Sequence, residues 1–298
     1  METREEHWEA LDAGHTMPTK SFTERDRNQK YWLLLYSVEG CGPLPAHISN
    51  LGELTTYMQF FTGIHHPSKA SAVPFAMVSA NSIRHRRSHF PVNKWIMDSG
   101  AFTTVTKYGG YPNGVEEYAE IIRRFSDCGN LLAAVAQDFM CESFVLERTG
   151  LTVHDHQMMT VQRYDSLISA DTANVEIMPV LQGYAPEEYV EHLCMYGNRL
   201  RPGMWVGVGS VCKRNSNPGS VVAVLEAIHT LRPDLRLHGF GVKITALRNE
   251  RVRELFHSTD SMAWSFAARM QGRDSNDIQE AVRYAKRVNS QPLQRVLF

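Results

Sequence analysis

Three aspartates and one glutamine stand at the ends of short apolar runs in this sequence. They are Asp98, Asp138, Gln182 and Asp260. Carboxylate and amide groups together suit a flat ligand with several N–H donors along one edge, as the Watson–Crick edge of guanine has. A further carboxylate can attack a glycosidic carbon, and another can move a proton. From these residue types we expect a site that transfers or hydrolyses a glycosyl group.

The apolar runs have the length and character of β-strands that are buried on both faces. Each run is apolar nearly throughout and does not alternate with polar residues, as is typical of a parallel sheet covered by helices. The predicted strands cover residues 31–38, 72–80, 94–98, 131–139, 175–183, 204–210, 235–242 and 261–266.

Amphipathic stretches of helical length lie between the predicted strands, at residues 114–125, 185–196, 217–228, 248–256 and 275–288. Pro186 suits the first turn of one helix and Asn217 the N-cap of another. About eight strand–helix units predict an α/β fold of the (β/α)8 TIM-barrel type. An open doubly wound sheet is the alternative, although no glycine-rich dinucleotide-binding motif follows any predicted strand.

Length and composition are those of an ordinary globular protein. The chain has 298 residues, of which 43% are hydrophobic and 21% charged. We expect a polar N-terminal arm over residues 1–30 and a single barrel domain with a C-terminal helix over residues 31–298. No apolar run has the length of a membrane helix, and the N-terminus lacks the apolar segment of a signal peptide. A cytoplasmic location without membrane contact is therefore expected.

Cysteine spacing and charge exclude some classes of protein. The five cysteines never occur as Cys-x-x-Cys, so neither a zinc ribbon nor a disulfide framework is indicated. The net charge of −1 argues against a surface that is basic on every side. A local basic footprint is still possible at residues 83–89, where the alternative is a solvated loop.

The ends of the predicted strands share a recurring chemistry. In a TIM barrel, the carboxyl ends of all strands meet at one face, where active sites lie. Carboxylates, amides and glycines would converge there, and glycine lets a flat ligand approach the backbone closely. These strand ends are Asp98–Gly100, Gln137–Asp138, Gln182–Gly183, Gly207–Ser210 and His238–Gly239, with Asp260 just before the last predicted strand.

Six motifs in this order resemble the tRNA-guanine transglycosylase superfamily. They are DSGAF from Asp98, QDFMCE from Gln137, LQGY from Leu181, VGVGS from Val206, HGFG from His238, and the aspartate of TDSMAWSF. The resemblance covers roughly residues 94–266. Within the superfamily the chain is most similar to the shorter DpdA-like enzymes of phage and bacteria, which exchange guanine in DNA for a 7-deazaguanine base. If a phage encodes the chain, the expected location is the host cytoplasm.

The resemblance implies a role for each motif residue. Asp260 would be the nucleophile that attacks C1′ and forms a covalent glycosyl-enzyme, and Asp98 would be the general acid/base. Asp138 and Gln182 would bind the polar edge of the purine, while Phe102 would stack on one face of the base. The full base-binding set implied by the resemblance is Ser99, Phe102, Asp138, Gln182, Gly183, Gly207, Gly209, Ser210, His238 and Gly239.

Two parts of that set have a more specific implied position. His238 would lie against the second face of the base, and the backbone of Gly207–Ser210 would approach the 7-substituent. Each of these residues also has an ordinary structural explanation: an aspartate after a strand can cap a helix, a phenylalanine can be core, and a histidine can be a hydrogen-bonded structural residue.

Two sequence differences from the tRNA enzymes bear on which polymer and which base the resemblance implies. Those enzymes carry a Cys-x-Cys-x-x-Cys zinc site with a later histidine after the nucleophile, whereas no cysteine follows Asp260 here. No metal and no cofactor are therefore expected, and DNA is favoured over tRNA as the polymer. Many bacterial tRNA enzymes have a glutamate for the cationic aminomethyl base at the position where Lys213 stands here. A neutral substituent is therefore expected, as in 7-cyano-7-deazaguanine.

The expected partners are DNA, or RNA as the alternative, and a free 7-deazaguanine base. Contacts to the phosphates at the barrel rim are expected from Arg84, Arg86, Arg87, Lys213 and Arg214. Three other functions fit the same residues: a tRNA-guanine transglycosylase, a hydrolytic N-glycosidase or other glycosidase, and a non-catalytic subunit that binds purine or nucleic acid. The sequence does not indicate the oligomeric state.

Overall fold

The computed structural model describes residues 58–290 of the chain. In this part nine strands form one parallel sheet: Gln59–Gly63 (β1), Phe75–Ser79 (β2), Lys94–Asp98 (β3), Asn130–Val135 (β4), Ile177–Met178 (β5), Val180–Leu181 (β6), Trp205–Val208 (β7), Arg236–Gly239 (β8) and Ser258–Ser261 (β9). Their order in the sheet is β5-β4-β3-β2-β1-β9-β8-β7-β6.

The two ends of this order meet because β5 and β6 occupy one strand position. Pro179 alone separates them, and proline has no N–H to donate to a sheet ladder. The Pro179 carbonyl nevertheless accepts a hydrogen bond of 2.8 Å from the Gly207 N–H of β7. On the other side, Ile177 of β5 pairs with Ala134 of β4. Eight strand positions thus form a nearly closed barrel, and the predicted (β/α)8 fold is confirmed.

Helices follow the strands along the chain: Ala80–Ile83 (α1), Ala101–Tyr108 (α2), Val115–Arg124 (α3), Ser143–Thr149 (α4), Val153–Ile168 (α5), Pro186–Tyr196 (α6), Pro218–Leu231 (α7), Ile244–Leu247 (α8), Glu250–Leu255 (α9), Ala263–Met270 (α10) and Ile278–Asn289 (α11). The predicted helix starts are confirmed at two of them. Pro186 is in the first turn of α6, and the Asn217 side chain caps α7 by accepting from the Ser220 N–H. In residues 58–290, no helix is both long and apolar enough to cross a membrane.

The core has two layers, which alternate along each strand. Trp95 and Met97 of β3 pack outward against the helices, whereas Ile96 between them belongs to the cluster inside the barrel. The same alternation places Leu237 of β8 in the outer layer. Because neighbouring residues of a strand point to opposite faces, Asp98 shares the inner face with Ile96. The alternation of side chains along the strand therefore points the Asp98 carboxylate into the barrel interior.

Three strands need comment. The predicted strand at 31–38 lies outside the described residues, as does the predicted arm at 1–30. Strand β1 was not predicted from the sequence, although Phe60 and Phe61 make it apolar. The predicted strand at 261–266 is wrong, because β9 ends at Ser261 and the following apolar residues belong to α10.

Candidate active site

Asp98 is placed by the end of strand β3 and by the turn that follows it. Asp98 is the last residue of β3 and pairs in register with Ser79 of β2. Gly100 has a φ of 74°, a conformation that residues with a side chain rarely adopt, and it leads directly into α2. A Cβ at Gly100 would also collide with the side-chain amide of Asn81. The glycine thus lets the chain turn sharply while Asp98 stays at the carboxyl end of the sheet.

Asp138 and Gln182 form a buried pair at the ends of β4 and β6. The Gln182 Nε2 donates a short hydrogen bond to Asp138 Oδ2, and the Tyr111 hydroxyl donates to the Asp138 carbonyl at 2.8 Å. Burial raises the pKa of Asp138 to about 7, and the nearby Asp98 carboxylate adds to this, while the Gln182 hydrogen bond acts in the opposite direction. Asp138 therefore changes charge near neutral pH and can present an acceptor to a ligand.

Gln182 is held on all sides, so its amide has a fixed orientation. The Ser210 hydroxyl donates to Gln182 Oε1 at 3.0 Å, which leaves Nε2 for Asp138. The Gln157 amide of α5 donates to the Gln182 carbonyl at 2.8 Å. A Cβ on Gly209 would lie about 2.1 Å from Gln182 Nε2. Glycine at position 209 is thus required for the amide to occupy its place.

Asp260 is held by one of its two carboxylate oxygens. Its Oδ1 accepts a hydrogen bond of 3.0 Å from the Gly241 N–H and lies 3.5 Å from His238 Nε2. Among residues 58–290 no hydrogen-bond partner contacts Oδ2 of Asp260. The side chain is 12% exposed. A carboxylate that is fixed through one oxygen and open at the other has the geometry of an oriented nucleophile.

A buried hydrogen-bonded chain of three side chains, Trp205, Ser258 and His238, lies next to Asp260. The indole N–H of Trp205 donates to the Ser258 hydroxyl at 2.8 Å, and that hydroxyl lies 2.9 Å from His238 Nδ1. Because an indole N–H only donates, the Ser258 hydroxyl can donate in turn to Nδ1. When Ser258 donates in this way, a neutral imidazole carries its proton on Nε2, which faces Asp260.

His238 is not located where the resemblance implies. Its side chain is fully buried, and the rings of Phe61, Trp205 and Phe240 surround it, with the Phe240 centroid at 4.9 Å. The ring has no open face on which a base could lie, and it contacts Asp260 instead. In this structure His238 therefore packs against the Asp260 carboxylate and has no surface open to a ligand.

The predicted glycines differ in their surroundings. A Cβ on Gly207 would collide with the Phe240 ring, and one on Gly239 with the Phe256 ring. These two glycines are explained by packing inside the protein. Gly183 meets the start of α6, at Glu188 and Tyr189, and also has a structural reason.

Phe102 and Ser99 lie beside Asp98, on the turn into α2. Phe102 is the second residue of α2, is half-buried, and lies 6.4 Å from the Phe144 ring, centroid to centroid. Ser99 is buried next to the Tyr111 hydroxyl. A partly open aromatic ring next to a carboxylate can cover one face of a flat ligand.

A comparison with protein families matches the model described as "DpdA: DeoxyPurine in DNA protein A" over residues 57–293. This match covers more than half of the chain and contains every strand described above. The chain belongs to the DpdA family. A comparison with curated proteins found no match. Membership in the DpdA family assigns the chain a role in deoxypurine modification with DNA as its substrate.

For a DpdA family member, cations close to the barrel mouth are of interest because DNA is a polyanion. Lys213 and Arg214 end the short 3-10 helix Val211–Arg214, directly after β7. The Arg214 guanidinium lies 4.5 Å from the centroid of the Tyr184 ring, and Tyr184 is 54% exposed. Lys213 Nζ lies 5.6 Å from the centroid of the Phe144 ring. Cations and aromatic rings thus occur together at the carboxyl ends of β6 and β7.

The basic residues 84–87 follow strand β2 and helix α1, and Arg84 lines a cavity with Ser99 and Tyr111. Arg84 forms an ion pair of 3.2 Å with Glu117 of α3. Arg86 donates to the carbonyls of Ser88 and His89 and lies over the Phe90 ring, which packs on Trp95 near the amino end of β3. Arg86 is thus engaged within its own loop, and phosphate contacts from Arg84, Arg86 and Arg87 stay a prediction.

Several residues that surround the acidic groups escaped the sequence analysis. Tyr111, Trp205 and Ser258 hold the acidic groups or their partners, and the buried Glu142 lies beside Ser210. Only Ser258 had a usable signal, since it stands two residues before Asp260 and so on the same face of a strand. Among the described residues no group of three or more His, Cys, Asp or Glu side chains is placed to hold a metal ion.

Proposed function

We propose that this chain exchanges guanine in DNA for a free 7-deazaguanine base, through a covalent aspartyl intermediate. The observation that carries the proposal is the open Oδ2 of Asp260, oriented by Gly241 and His238 in the same barrel whose strand ends hold Asp98 and Asp138. Membership in the DpdA family supports DNA as the polymer.

In the first half of the proposed reaction, Asp260 Oδ2 attacks C1′ of the deoxyguanosine. The bond between C1′ and N9 breaks, its electron pair passes to guanine, and Asp98 delivers a proton to the departing base. In the second half, Asp98 takes the N9 proton of the incoming base. Its N9 then attacks C1′ and releases the Asp260 carboxylate.

Asp138 and Gln182 hold both bases in turn. An ionised Asp138 accepts from the N–H groups on the Watson–Crick edge, and Gln182 fixes the direction of that carboxylate. Phe102 covers one face of the base, and Gly209 and Ser210 lie at its 7-position. Because a base inside a duplex cannot reach this site, the guanosine is flipped out or presented in single-stranded DNA.

The expected incoming base is 7-cyano-7-deazaguanine. Lys213 and Arg214 follow the strand end at which the 7-substituent would lie, and two cations there oppose a cationic aminomethyl group. Offering the cyano and aminomethyl bases in separate reactions tests this expectation, because preferential use of the aminomethyl base would contradict it.

Labelled guanine in DNA separates this function from its alternatives. The purified chain should release label over many turnovers only when the free 7-deazaguanine base is added, and nucleoside mass spectrometry should find that base in the DNA. Sustained release without added base would indicate a hydrolase, and binding without release a non-catalytic subunit. Replacing the DNA by tRNA tests the remaining alternative, because exchange confined to tRNA would contradict the proposal.

A further inference from the structure

Glu142 is a buried carboxyl group that the proposed reaction does not yet use. It immediately precedes α4 and is only 5% exposed. Its Oε2 is buried and has no hydrogen-bond partner. Leaving a buried polar atom unpaired costs free energy, so such an atom in a site calls for an explanation such as a ligand.

Glu142 adjoins the hydrogen-bonded network that would hold the base. The Glu142 carboxyl group lies close to the Ser210 hydroxyl, which donates to Gln182, whose amide donates to Asp138. A line of polar groups therefore runs from the proposed purine edge at Asp138 to Glu142. Since Ser210 is expected at the 7-position of the base, Glu142 lies at that position too.

We propose that Glu142 recognises the 7-substituent of the incoming base. Its carboxyl group would donate a hydrogen bond to an acceptor such as a nitrile. This inference rests on the proposed function and specifies the substrate class of the same site. The ligand would supply the partner that Oε2 lacks. Glu142 would then be a specificity residue, in addition to the residues that bind the purine edge.

Burial shifts Glu142 towards its neutral, donating form. Burial raises the pKa of Glu142, although the cations Lys213 and Arg214 and the Ser210 hydroxyl act in the opposite direction. A neutral carboxyl group next to two cations is a poor site for an ammonium group and a good donor to an uncharged acceptor. The chemistry of the site thus agrees with a nitrile or a carbonyl at the 7-position.

The test compares two bases in each of three proteins: wild type, Glu142→Gln and Glu142→Ala. Incorporation of 7-cyano-7-deazaguanine into DNA is divided by incorporation of labelled guanine, which has no 7-substituent. Glu142→Ala should lower this ratio about tenfold, the loss of one neutral hydrogen bond. Glu142→Gln keeps an N–H donor of similar size and should lower the ratio less than Glu142→Ala. The control is Glu147→Gln, an exposed residue of α4, which should keep the wild-type ratio.

The outcomes separate this inference from the proposed function. If the wild type exchanges both bases and Glu142→Ala keeps the wild-type ratio, the inference is wrong while the proposed function stands. If Glu142→Gln loses as much as Glu142→Ala, the donor role is wrong. If the wild type incorporates neither base into DNA, the proposed function itself fails. If Glu142→Ala does not fold, the use of 7-cyano-7-deazaguanine and of the aminomethyl base by Glu142→Gln is compared instead. Equal use of the two bases by Glu142→Gln would contradict the inference.

Discussion

Asp138 owes its acid–base behaviour to its place just beyond the end of β4. The carboxyl group is buried beside Asp98, and one hydrogen bond from Gln182 compensates only in part for the loss of water. The same residue in a solvated loop would be ionised at every physiological pH. In the proposed reaction only the ionised form accepts from the base edge.

The pH dependence of stability follows from the pKa of Asp138. Because the folded-state pKa is raised from 3.8 to about 7, the folded protein keeps a proton that the unfolded chain loses between these values. We therefore expect the free energy of unfolding to fall as pH rises from 3.8 to about 7 and this contribution to level off above it. Asp138→Asn should remove this fall, which denaturant unfolding at several pH values measures. An equal pH dependence in both proteins would contradict the assignment.

Sequence analysis identified the acidic residues better than their supporting contacts. Asp98, Asp138 and Gln182 follow apolar runs, so a pattern along the chain reveals them. The contacts of Asp260 with His238 and Gly241 join strands or loops about twenty residues apart, and no local pattern specifies such contacts. For this reason His238 was expected beside the base and is found against Asp260, the proposed nucleophile.

At the scale of elements, the apolar pattern predicted most of the barrel and failed where a buried strand is polar. Strand β9 has the sequence STDS and is buried throughout. Ser258 and Asp260 have polar partners on one face of the strand, and Thr259 donates to the Met58 sulfur. A search for apolar runs therefore passed over this strand. The run that follows contains Trp264 and Phe266 and forms α10, because strand and helix cannot be told apart in short apolar segments.

Gly209, which follows strand β7, lies so close to Gln182 that a single added methyl group should have an effect. Gly209→Ala should displace the Gln182 amide, since the new Cβ would lie about 2.1 Å from Nε2. We expect the KM for the free base to rise about tenfold, through loss of a hydrogen bond to a charged group. Gly219→Ala on α7, whose Cβ would have its nearest neighbour at 3.4 Å, is the control. If both variants have the same KM, the role of Gly209 is wrong.

At the scale of the whole molecule, cations differ in their distance from the strand ends that hold the acidic residues. Lys213 and Arg214 follow β7, whereas Arg86 lies along the side of the barrel near Trp95. No pattern in the sequence separates these two sets, because their positions depend on how far each loop runs after its strand.

This difference predicts a difference in DNA binding. The double variant Lys213→Gln/Arg214→Gln should bind DNA more weakly and lower the slope of log K against log salt concentration by up to about 2. Arg86→Gln/Arg87→Gln is the matched control and should have a smaller effect. Titrations of a fluorescent single-stranded oligonucleotide at several salt concentrations measure both. A larger effect of the control would place the DNA on the other side of the barrel.

The covalent intermediate is the central claim, and a denaturing gel of the chain with labelled DNA tests it most directly. Without free base, the wild type should give a band of DNA bound covalently to protein, and adding 7-cyano-7-deazaguanine should remove this band as modified DNA forms. Asp260→Asn should give no band and should lower exchange at least about a thousandfold, because the nucleophile is lost. Guanine exchange by Asp260→Asn at the wild-type rate, or an adduct that maps to another residue, would contradict the account.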